Sequence, residues 1–99
     1  MDRWIVVLED RRTDAAARVR KERFEEHFAF LQSNFDRIVF SCGLKSAGEA
    51  GAGELSHGGL WIVEADSREE VVALYERDPY FQLGLRGDID VFRAHEGYI

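Results

Sequence analysis

The sequence predicts an α+β domain with the element order β-α-β-β-α-β. Three observations predict it. Four short apolar runs rich in β-branched residues alternate with two stretches of helical periodicity. An S-x-x-E capping box opens the second of those stretches, and the only proline stands where that helix should end.

The first strand is Trp4 to Leu8, an apolar run closed by Glu9-Asp10-Arg11-Arg12 and read as buried on both faces. Thr13 or Asp14 can N-cap the next segment, and Ala15 to Leu31 keeps helical periodicity without Gly or Pro. Arg37 to Leu44, around Ile38-Val39-Phe40, is the second strand, and Cys42 within it reads as core packing. Lys45 to Gly53 is rich in Gly, Ala and Ser and reads as a loop. Gly59 to Ala65 is the third strand. Ser67-Arg68-Glu69-Glu70 caps a helix that runs to about Arg77, since Pro79 disfavours helical geometry at Asp78. Pro79 to Leu83 can form one more turn, Gly84 and Gly87 act as breakers, and Asp88 to Ala94 is the fourth strand.

This order closes as a four-stranded antiparallel sheet with both helices on one face, the ferredoxin-like arrangement, and residues 1–99 are expected to form a single domain. The first three strands nevertheless carry apolar residues on both faces. A second apolar face open to water would be a large exposed patch, so a homodimer through the sheet face is expected.

Composition narrows the function. With 45% hydrophobic and 32% charged residues the chain is globular, and its formal net charge of −6 argues against a binder of nucleic-acid backbones. No apolar run approaches the roughly 20 residues of a membrane span. The N-terminus lacks the basic end and apolar stretch of a signal peptide, and a lone cysteine permits no intrachain disulfide, so a cytoplasmic protein is expected. No nucleotide, flavin or haem signature is present, and the three histidines lack metal-ligand spacing; the expected cofactor and metal are none.

At about 100° per residue, His27 falls in the apolar sector of the first helix with Leu31, Phe24, Ala17 and Phe28. Arg20 and Arg23 fall in it too. A lone inward histidine is most often a hydrogen-bonded core residue, whereas inward arginines call for a partner or a ligand. On the second helix Asp78 continues the stripe of Val71, Leu74 and Tyr75. A carboxylate at a helix C-terminus opposes the macrodipole and needs compensation. It can N-cap the following turn with Pro79 at N1, or accept a hydrogen bond from His27 or Arg20, or both. A His–Asp pair is suited to proton transfer, because the carboxylate orients the imidazole and raises its basicity. Trp4, Trp61 and Tyr80 are candidates to line a pocket, although aromatics in a small core usually just pack.

The R-x6-H-x3-L pattern of Arg20 to Leu31, the Cys42-Gly43-Leu44 turn, the stretch from Gly58 to Ser67, and Asp78-Pro79-Tyr80 followed by Gly84-Leu85 together resemble the YCII-related (YciI-like) family of the dimeric α+β barrel superfamily. The resemblance implies a ferredoxin-like fold, a sheet-to-sheet dimer and a His–Asp pair at His27 and Asp78. Some relatives are associated with lyase-like reactions on small aromatic compounds. The expected function is therefore proton transfer on a small molecule, with His27 and Asp78 catalytic and Arg20, then Arg23, holding an anionic group. The competing expectations are a ligand-binding or sensing dimer without turnover and a dimer in which the pair serves only the fold.

Overall fold

The computed structural model describes residues 1–45, 57–95 and 97. Four strands, β1 (Asp2–Asp10), β2 (Ile38–Lys45), β3 (His57–Ala65) and β4 (Arg86–Arg93), form one antiparallel sheet in the order β2-β3-β1-β4. Helices α1 (Asp14–Glu22), α2 (Phe24–Ser33), α3 (Arg68–Glu76) and the short α4 (Pro79–Gln82) complete the α+β, ferredoxin-like fold. Of the glycine-rich stretch Lys45–Gly53, Lys45 ends β2 and the remainder lies outside the described residues.

Strand alternation sorts the sheet's two faces. Trp4, Val6 and Leu8 of β1, Trp61, Val63 and Ala65 of β3, and Ile38 of β2 pack with Leu31 of α2 and Val71 and Leu74 of α3 in one core. Registers Ile5↔Ile62, Phe40↔Ile62, Val7↔Leu60, Cys42↔Leu60 and Ile5↔Phe92 place the other set on the opposite, uncovered face. Ile5, Val7, Leu60 and Ile62 are half-buried there, and Phe40 and Phe92 are about half exposed. β1 is thus fully buried on one face only, and Cys42, expected in the core, is exposed on the open face. The extra residue Val39 between the Ile38 and Phe40 pairs explains how both even-numbered neighbours can serve opposite faces.

The Ser67 cap forms as expected, with the return bond of the capping box displaced by one residue to Asp66. Ser67 Oγ accepts from Glu70 N–H at 3.2 Å, and Glu70 reaches back to Asp66 N–H at 2.9 Å. Ser67→Ala is expected to lower stability by about 1 kcal/mol, measurable as a lower denaturant midpoint with an unchanged slope.

The long first helix does not form as one element. It breaks at Arg23, whose φ of −112° and ψ of 15° lie outside helical geometry. The break has a partner for its loose carbonyl: the Tyr80 hydroxyl donates to Arg20 O at 2.9 Å. Charges suit both new ends, with Arg20 and Lys21 in the last turn of α1 and Glu25 and Glu26 in the first turn of α2. The phase changes across it, so Ala16 rather than Ala17 is buried. Phe24 and Phe28, expected inside, are 53% and 44% exposed although they share α2 with His27.

Candidate active site

His27 on α2 and Asp78 at the N-cap of α4 come together between helices and sheet. Nδ1 of His27 lies 2.9 Å from both carboxylate oxygens of Asp78. A carboxylate only accepts, so Nδ1 carries the hydrogen and Nε2 is the basic nitrogen. His27 is 8% exposed and Asp78 fully buried. Asp78 also accepts from Tyr80 N–H at 3.1 Å, so the capping role and the pairing with His27 coexist. Below the imidazole the Tyr80 ring stacks at 4.0 Å between centroids and 8° between planes. The orientation of His27 is thereby fixed from two directions. Burial raises the Tyr80 phenol above its ordinary range, and its proton is already committed to Arg20 O, so it acts as a platform rather than an acid.

A cavity of about 240 Å³ lies against His27, with Asp78 behind it and outside the lining. His27, Tyr80, Trp61, Leu31, Arg20 and Arg86 line its inner part, Phe24 and Phe28 its outer wall, and the bare backbone of Gly43 and Gly59 its floor on the sheet. Nε2 of His27 takes no hydrogen bond among the described residues and is not sealed from solvent, so it addresses the cavity.

The expected arginines part company. Arg20 is at the cavity, with Nε 2.6 Å from Asp10 Oδ2 and Nη2 3.2 Å from Gly58 O. It meets Asp10 rather than Asp78. Arg23, expected on the inward face, is at the surface and paired with Glu26 at 2.9 Å. The helix break that ends α1 at Glu22 turns it outward, and it has no place in the cavity lining.

Two site residues were missed in the sequence. Asp10 is buried and joins Arg20 to Arg86, whose Nη1 lies 2.7 Å from Asp10 Oδ1. Asp10 extends the period-two series Trp4, Val6, Leu8, so its place on the covered face is readable. Arg86 stands between two glycines taken as breakers, yet it begins β4. Between the Leu8↔Ile89 and Asp10↔Arg86 pairs, β4 has one residue more than β1, and this bulge re-aims Arg86 onto the helix-covered face.

Solved structures resemble this chain over nearly its full length. The 5-chloro-2-hydroxyhydroquinone dehydrochlorinase of Burkholderia phenoliruptrix AC1100, in complex with 2,5-dihydroxybenzoquinone, is 25% identical, with 93% of each chain covered and a TM-score of 0.72. A dimeric ferredoxin-like protein of unknown function from Thermobifida fusca YX is 12% identical, covers 94% of this chain and 90% of its own, and has a TM-score of 0.50. The second likeness bears on the fold alone. No curated protein gives a significant match. The profile of the YCII-related domain matches residues 3–95, and the chain belongs to the YCII-related family.

Proposed function

We propose that the protein is a small-molecule enzyme in which His27 transfers a proton on a small, oxygen-bearing ring and Asp78 orients it. The observation that carries this reading is the His27–Asp78 contact at 2.9 Å, with the free nitrogen of the imidazole on a cavity that also holds Arg20. The cavity is of the right size, because about 150 Å³ suffices for benzene and this one offers about 240 Å³. Its aromatic walls suit a flat ring and Arg20 suits an oxyanion. The dehydrochlorinase and its bound hydroxyquinone support the same ligand class.

The chemistry follows from one basic nitrogen. Nε2 takes a hydroxyl proton from the ring, the oxygen becomes a carbonyl, and the displaced electron pair takes a proton at a ring carbon. If that carbon bears chloride, loss of a second hydroxyl proton expels the chloride, and the net loss is HCl. Incubation with 5-chloro-2-hydroxyhydroquinone, with chloride release measured, tests the reading. Chloride release above the buffer rate is expected; no turnover of this or related hydroxylated rings would contradict it.

We further propose that two copies pair through the open sheet face. Ile5, Val7, Phe40, Leu60, Ile62 and Phe92 form an apolar surface there, and another copy of the same surface buries it with two-fold symmetry. The dimer face and the His27 cavity then lie on opposite sides of one sheet.

A further inference from the structure

We propose that Arg86 is a second cation of the site, sharing one ligand oxyanion with Arg20 on the cavity side of the sheet. The inference rests on the proton-transfer reading of the same cavity and adds to it the charge the ligand must carry. Arg86 lines the cavity although it is only 4% exposed. A guanidinium so buried needs its N–H groups satisfied as well as its charge offset, and here they are not all satisfied. Asp10 supplies one carboxylate to two guanidiniums, one oxygen to each, and Arg86 Nε is buried with no hydrogen-bond partner. Burial pushes the Arg86 guanidinium below its ordinary range, against the pull of Asp10 and Asp78.

The surroundings leave room for a ligand anion. Asp10 stands behind the two arginines, bordering a separate cleft shared with Arg20, and does not line the ligand cavity. Both guanidiniums flank the Tyr80 ring, 5.6 Å and 5.3 Å from its centroid. Gly59 leaves the floor open beside Arg86, since a Cβ there would stand 3.4 Å from Nη2 and 3.6 Å from Nη1. A ligand oxyanion set between Arg20 and Arg86 would mirror Asp10 across the two guanidiniums. The ligand class is therefore a compact flat ring carrying an ionised oxygen: an enolate, a vinylogous acid or a carboxylate.

The test is a binding ratio, read by calorimetry without turnover. The probes are 2,5-dihydroxybenzoquinone, a vinylogous acid ionised at neutral pH, and hydroquinone, a similar ring that is uncharged there. The parent protein is expected to prefer the anion at least tenfold, and Arg86→Gln to lose most of that preference. If Arg86→Gln does not fold, Gly59→Ala decides, because its methyl would rest in van der Waals contact with both Nη atoms and take up the floor space beside the guanidinium; the preference should fall severalfold. An undiminished preference in folded Arg86→Gln, or in Gly59→Ala where that variant decides, overturns the proposal, as does a parent with no preference. Failure of chloride release in a parent that keeps the preference strikes the proton-transfer reading and leaves Arg86 in place.

Discussion

His27→Asn is expected to slow chloride release about 100- to 10,000-fold, the usual weight of a positioned general acid–base group, while the protein still folds. Asparagine is the informative choice. Its amide can stand where Nδ1 stands and keep a donor on Asp78, so the buried carboxylate is not stranded, but it offers no basic nitrogen to the cavity. His27→Ala removes both functions together. Leaving a fully buried carboxylate without its cation-capable partner costs about 3–5 kcal/mol by comparison with broken buried pairs, even though Asp78 retains the Tyr80 N–H. Steady-state rates and thermal melts on both variants separate the two effects. A His27→Asn protein that turns over at the parental rate would leave the histidine with a role in the fold only.

Ile62→Asp is expected to convert the dimer into a folded monomer. Ile62 lies between Ile5 and Phe40 on the open face and away from the cavity. In a single copy the new carboxylate meets water and the sheet should tolerate it. In a sheet-to-sheet pair two carboxylates are buried near one another without partners. A cost of even about 3 kcal/mol would weaken association roughly a hundredfold. Light scattering or sedimentation across a concentration series reads the result. A monomeric parent, or an Ile62→Asp protein still dimeric at the parental concentration, would contradict the proposed interface.

Much of the site was legible because helices and strands impose periods. The same stripe that carries Val71, Leu74 and Tyr75 delivers Asp78, and the apolar sector of α2 delivers His27 beside Leu31. The errors sit where a period is interrupted. Without Gly or Pro, nothing local marks the break at Arg23; its cause includes a hydrogen bond from Tyr80, about 60 residues away, and tertiary contacts of that kind leave no periodic trace. Arg23 and Ala17 were therefore assigned the wrong side, while Phe24 and Phe28, on the same helix as His27, lie on its side but at the open rim of the cavity. Arg86 escaped notice because the expected fourth strand began only at Asp88, and the bulge that brings Arg86 to the covered face has no mark in the sequence period. Cys42 was misplaced for a simpler reason. Its strand carries apolar residues on both faces, and only one of those faces is covered by the helices.

The central claim is that His27 and Asp78 act as one unit on the cavity's ligand, and a double-mutant cycle tests it most directly. Chloride release, as kcat/KM, is compared for the parent, His27→Asn, Asp78→Asn and the double variant. Residues that act together lose their contribution once, so the double variant is predicted to be no slower than the slower single variant, within a factor of about three. Losses that multiply in the double variant, with both single variants folded, would show that the two residues work independently and would contradict the account.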